Sequence, residues 1–288
     1  MWIGINIMAG GNRYSRYLSS TLFWVVVAFF VVYSLFPFYW AINTSLKSKE
    51  EATGSVTYLP QSPTEESYIS ILSDTTFLRS IFNSVLVAGA ATFISLAVGA
   101  LAAYALGRLN FRGRHAMRYV ILAMNIFPTI SILPSVLARI NDLGLFGSLS
   151  ALVITYPLFV LPVIVWTLIV FFRELPEDIE QAAFVDGASS LQTFTLVFLP
   201  ITLPILVTTG LLSFISLLNE YLFALTFTAI DPSQRTVPVA MYFLKSSGAT
   251  SVADIMAASM IVTIPIVVIV LLLQRAIIGD VTEGAVKG

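Results

Sequence analysis

The chain has 288 residues, of which 57% are hydrophobic and only 11% charged, with a net charge of −1. Soluble domains carry about 25% charged residues, so this balance excludes an ordinary soluble fold, and the near-neutral charge excludes a nucleic-acid footprint built on overall basicity. Cysteine is absent and His115 is the single histidine, which removes disulfides, Cys-based metal or redox sites and any His-rich metal cluster.

Arg13 and Arg16 precede an apolar run at about 18–42. It is too long for a signal-peptide core and has no A-x-A-like site after it, so it reads as a retained first span behind a cytoplasmic N-terminus, 1–17. Five further runs reach the roughly 20 residues a helix needs to cross hydrocarbon: 79–106, 118–138, 149–171, 199–229 and 253–275. The expected fold is therefore all-α, a polytopic membrane bundle of six transmembrane helices over 18–278, with a tail at 279–288. The long second and fifth runs leave room for a tilt or a break.

Between the first two runs, 43–76 is the longest polar segment. It suggests short helices whose charges form a solvated face, with an outer partner as the alternative. In the second run Gly89, Ala91, Gly99, Ala102 and Ala103 permit close helix approach. Arg108, Arg112, Arg114 and Arg118 crowd the short loop that follows, with His115 among them as a solvated loop residue. With six spans, nine of the 15 basic residues fall on the side of the termini. The positive-inside rule then places both termini and the 173–198 segment in the cytoplasm. Pro128, Pro134, Pro157 and Pro162 punctuate the third and fourth runs. Proline removes a helix hydrogen bond, so these read as determinants of shape or as hinges.

The stretch Phe172–Pro204 holds five of the 16 acids. Pro176 suits a first helical position, and Glu177, Asp178 and Glu180 suit the positive end of a helix dipole. Ala182 and Ala183 present a small, flat face. Asp186-Gly187 stops the helix, and Ser189 or Ser190 caps the next one. On residues alone, this helix–turn–helix is either a spacer or a dock.

In the fifth run Glu220 is the only acid deep in apolar sequence, flanked by Asn219 and Tyr221. Intramembrane acids face a bundle interior or a wet cavity, so Glu220 is either a structural hydrogen-bonding group or part of a pathway. Asn125 and Tyr156, with Asn219, Glu220 and Tyr221, are the candidate pathway residues. No lysine follows a glycine, and no H-E-x-x-H or G-x-S-x-G occurs. The chain thus lacks a phosphate-binding loop and two common hydrolase signatures. It is not expected to be an enzyme or to hold a metal or cofactor.

Gln181-Ala182-Ala183, then Gly187, then Val197-x-Leu199-Pro200 resemble the EAA loop of bacterial ABC-importer permeases, E-A-A, three residues, Gly, nine residues and I-x-L-P. Gln181 stands where the motif has Glu. The six-run layout, AAYALGRLNFRGR after the second run, Asn219-Glu220 and the closing GAVKG are similar to the carbohydrate-uptake group, most of all the six-span permease of maltose- and trehalose-type importers. That resemblance implies a bacterial cytoplasmic-membrane complex of this chain, a companion permease, two ABC ATPase subunits and an extracytoplasmic sugar-binding protein. ATP and Mg would bind the partners. Glu177, Glu180, Gln181, Ala182, Ala183, Asp186 and Gly187 would form the coupling helix that docks on an ATPase. An ion-coupled secondary transporter using Glu220, or a non-transporting membrane scaffold, are the alternatives.

Overall fold

The computed structural model describes residues 13–54, 56–246 and 250–285, with side chains of 21–54, 56–246 and 250–272. No strand occurs among the described residues. The helices are α1 (Arg13–Ser45), α2 (Lys49–Thr53), α3 (Glu66–Ser73), α4 (Thr75–Gly107), α5 (Arg114–Met124), α6 (Leu133–Asp142), α7 (Leu149–Thr155), α8 (Pro157–Glu174), α9 (Glu177–Val185), α10 (Ser190–Gln192), α11 (Leu199–Ile201), α12 (Leu203–Leu218), α13 (Leu222–Thr228), α14 (Val237–Ser246) and α15 (Val252–Ala285). A π-helical turn, Thr193–Phe198, joins α10 to α11. Among the described residues, four helices are long and apolar enough to cross a membrane, or six if each of two bent pairs is one span.

The third run is not a simple span, and the fifth, whose length left room for a break, is bent as well. The third is broken by 98° between Arg114–Met124 and Thr129–Asp142, where Pro128 precedes a 3-10 turn and disfavours helical geometry at the residue before it. Pro134 and Pro157 each lie in the first turn of a helix, and only Pro162 is interior. These three are therefore starts and breaks rather than mid-helix kinks. The fifth run bends by 75° between Ser190–Ile201 and Leu203–Leu218 and is interrupted again between α12 and α13. The tail expected from Gly279 continues α15 as far as Ala285, and 286–288 lie outside the described residues.

The chain divides into two compact units. In the first, comprising the residues up to Tyr68 and Ser251–Met260, the 43–76 segment is more than a solvated face. Lys47 is buried, donates to the Thr57 carbonyl at 2.6 Å and lies over the Trp40 ring. Glu51 accepts from the Thr57 hydroxyl at 2.9 Å and from the Gln61 N–H at 3.0 Å. Lys49 pairs with Glu66 at 3.4 Å and with buried Asp254 at 3.9 Å. Two lysines and one glutamate thus fasten an extended strap to the end of α1.

The second unit is organised on α4, which packs chiefly along α8 and also against α7, α12 and α14. Ala91, Ser95, Gly99 and Ala103 recur every four residues, and all are buried. This spacing puts small residues on one helical face, so two backbones can approach closely. A Cβ on Gly99 would stand 2.7 Å from Ile164 Cγ2, whereas one on Gly89 would meet nothing within 4 Å. Gly89 is therefore not a close-approach position. The start of α4 pins the segment before α14. Asn83 donates to the carbonyls of Ser233 and Arg235, both at 2.9 Å, and Ser84 accepts the Val237 N–H at 2.8 Å.

Candidate functional site

The α9 hairpin follows from its local sequence. Pro176 takes the N-cap position, one residue earlier than expected, and Glu177, Asp178 and Glu180 occupy the first turn. Gly187 has φ +83°, in the left-handed region that glycine enters at little cost. The Ala188 N–H reaches the Ala183 carbonyl and the Gly187 N–H reaches that of Phe184, which completes a Schellman motif. Ser189 then forms a capping box with Gln192, so the next helix is capped two residues beyond the glycine.

Long-range contacts fix how this hairpin is turned. Tyr104, near the end of α4, donates its hydroxyl to Glu180 Oε1 at 3.1 Å. Arg108 donates to the Leu175 carbonyl and lies over the Phe198 ring. Tyr104, Phe172, Phe194 and Phe198 form an aromatic cluster beneath. Glu180 therefore points inward, and Ala183 is buried. The expected flat face of Ala182 and Ala183 does not exist as such. The outward surface presents Ala182 with Phe184, 44% exposed, and Val185, 86% exposed. Glu177, Gln181, Asp186 and Gly187 are also exposed.

The arginine loop is equally built. Arg118 is buried and donates to the carbonyls of Leu106 and Gly107, groups that α4 leaves without partners at its C-terminus. His115 is exposed in the first turn of α5, not in a loop. A cavity of about 360 Å³ lies between this loop and α9, lined among others by Arg108, Arg114, Arg118, Arg173 and Glu177. Sequence reasoning missed Tyr104 altogether and treated Arg108 and Arg118 only as topology markers. Arg118 stands 11 residues beyond the end of α4, a return distance that a short loop allows but that no local motif signals.

Of the pathway candidates, Tyr156 and Glu220 are brought together, with a hydroxyl-to-carboxylate bond of 3.0 Å. Glu220 also accepts the N–H groups of Phe223 at 2.9 Å and Ala224 at 3.1 Å. The acid thus sits in the break between α12 and α13 and satisfies N–H groups that the start of α13 would leave unpaired. The Tyr221 and Tyr242 rings lie 5.9 Å apart in a tilted arrangement. Asn219 and Asn125 are exposed, and each donates to a carbonyl four residues back in its own helix. Neither is joined to the Tyr156–Glu220 pair by any hydrogen bond.

These features describe a polytopic helical membrane protein that offers a short, firmly held helix at one end of the α4–α8 pair. Residues 95–282 match the family described as binding-protein-dependent transport system inner membrane component, and the chain belongs to that family. It is 38% identical over 257 residues to the trehalose/maltose transport system permease protein MalG of Thermococcus litoralis, covering 88% of this chain and 92% of that protein. It is 36% identical over 269 residues to the trehalose transport system permease protein SugB of Mycobacterium tuberculosis, covering 92% and 97%. A bacterial ABC transporter involved in import of the acidic polysaccharide alginate shares the fold, with a TM-score of 0.79 over 93% of this chain and 99% of that chain, at 22% identity.

Proposed function

We propose that this chain is the permease subunit of an ATP-driven importer for a sugar, with a disaccharide or oligosaccharide such as trehalose or maltose as its cargo. In this reading it forms half of the translocation pathway. A companion permease forms the other half, an extracytoplasmic binding protein delivers the sugar, and two ATPase subunits bind ATP and Mg. The observation that carries the coupling role is α9 itself. It is a nine-residue helix closed at its C-terminal end by the Schellman motif and anchored through Glu180 and Leu175. It projects Phe184 and Val185, which favour burial against a partner. Gln181, where the motif has Glu, lies on the exposed surface and leaves Glu177 and Asp178 as the exposed acids of the first turn. The near-full-length likeness to a trehalose/maltose permease and a trehalose permease supports the substrate class.

The ion-coupled alternative rests on Glu220, whose carboxylate already accepts from one hydroxyl and two backbone N–H groups. Those bonds occupy both carboxylate oxygens and hold them in place, which suits a structural clasp better than a cycling carrier.

The test is reconstitution of the chain with its companion permease, ATPase and binding protein, followed by uptake of labelled trehalose and maltose with and without ATP. Val185→Glu is expected to reduce ATPase co-purification and uptake together. Uptake that needs no ATPase, or normal assembly of Val185→Glu and Gly187→Pro, would overturn the reading.

A further inference from the structure

The cavity between the arginine loop and α9 holds more positive charge than it neutralises. Arg108, Arg114, Arg118 and Arg173 all line it, with His115 at its edge. Two carboxylates share the wall, yet no ion pair of 4.0 Å or less joins any of these arginines to an acid among the described residues. Glu180 is taken by Tyr104, which leaves Glu177 as the acid without a hydrogen bond. Arg114 and Arg118 spend donors on carbonyls and on Asn110, but each guanidinium carries five N–H groups. Arg173 is exposed and makes no hydrogen bond or ion pair among the described residues. Like charges gathered in a concave site, with guanidinium donors left over, call for an anion.

The cavity begins at Gly107, the last residue of α4, and so lies at the level where an apolar helix leaves the hydrocarbon. Basic pockets at that level on the cytoplasmic side accept lipid phosphates, and guanidinium forks match phosphate oxygens two at a time. We infer that this cavity is a binding site for a phosphate group, supplied by an anionic phospholipid headgroup or by a soluble phosphate. Its occupant would bridge the arginine loop and the start of α9, next to the surface assigned above to the ATPase. The cytoplasmic placement rests on the permease reading; the phosphate chemistry does not.

The experiment uses the purified full chain in neutral detergent. Native mass spectrometry reads retention of phosphatidylglycerol against phosphatidylcholine, and thermal unfolding reads stabilisation by inorganic phosphate. The variants are Arg173→Gln, Arg173→Lys and Glu177→Gln, all at exposed positions, so the core is undisturbed. Arg173→Gln is expected to weaken binding about tenfold, the size of one charge-assisted hydrogen bond. Arg173→Lys retains most of it, and Glu177→Gln strengthens it. Selective retention of phosphatidylglycerol that Arg173→Gln abolishes identifies a lipid headgroup. Saturable stabilisation by inorganic phosphate without lipid preference identifies a soluble ligand. Wild-type behaviour of all three variants with both probes overturns the proposal. So does Arg173→Gln that binds phosphate normally but loses the ATPase on purification, since the cavity would then receive an acidic protein segment. The binding readout involves neither transport nor ATP hydrolysis, so its failure leaves the permease reading standing.

Discussion

Tyr104 and Glu180 are 76 positions apart and meet at 3.1 Å, which ties the end of α4 directly to the middle of α9. A hydrogen bond to a charged group contributes about 1.5–3 kcal/mol when buried and less when half-exposed, as Glu180 is. Tyr104→Phe should therefore loosen α9 without unfolding the bundle. Hydrogen exchange of the 177–185 amides is expected to quicken about fivefold, the equivalent of about 1 kcal/mol. Unchanged protection would show that Arg108 and the aromatic cluster hold α9 unaided.

Glu220 gives a graded prediction. Glu220→Gln keeps the shape and one accepting oxygen, whereas Glu220→Ala strips the start of α13 and leaves the Tyr156 hydroxyl buried without its acceptor. The alanine variant should lose about 2–4 kcal/mol and the glutamine variant about half of that, by the cost of unsatisfied buried donors. Thermal unfolding of the full chain reads the difference, and sugar uptake should fall in the same order. Equal behaviour of the two variants would mean that the carboxylate does not hold the break.

The Gly99 contact with Ile164 predicts a coupled pair. Gly99→Ala pushes a methyl group to within 2.7 Å of Ile164 Cγ2, an overpacking of about 1–3 kcal/mol. Ile164→Ala alone opens a cavity costing about 2–5 kcal/mol. Because each change relieves the other, the double variant should be more stable than the sum of the singles by about 0.5–3 kcal/mol. Additive losses would place the strain elsewhere.

The strap on α1 predicts a pH response. The Gln61 N–H bond is the largest influence on Glu51, and it outweighs the opposing effect of burial; with the Thr57 hydroxyl and nearby Lys47 adding to it, Glu51 is held below the ordinary glutamate value of 4.5. A depressed folded-state pKa contributes stability that is present above the unfolded value and lost as pH falls through the folded one. Proteolysis within 56–64 should therefore accelerate below about pH 4.5, the ordinary value, and Glu51→Gln should abolish that dependence. An unaltered pH profile in Glu51→Gln would remove Glu51 from the strap.

What could be read from the sequence was local. Pro176, Gly187 and Ser189 act through their own backbones, so the start, stop and restart around α9 were visible within a single stretch of chain. The direction in which α9 faces depends on Tyr104, Arg108 and Phe198, which come from other parts of the chain, and no periodicity announces that Glu180 and Ala183 turn inward. The same holds for the fifth apolar run. Its length suggested a span with a possible break, but only the fold shows that Glu220 makes the break tolerable by capping α13. Lys47 looked like surface charge because its buried stem and carbonyl partner lie ten residues away along the strap.

The return of Arg118 to the carbonyls of Leu106 and Gly107 has a mechanical consequence. It closes the arginine loop into a short staple, so the end of α4 and the start of α5 cannot shift independently by much. Tyr104, in the last turn of the same helix, holds Glu180 of α9, and Arg108, just past its end, holds the Leu175 carbonyl ahead of it. A displacement of α9 would therefore be carried to the ends of α4 and α5 together.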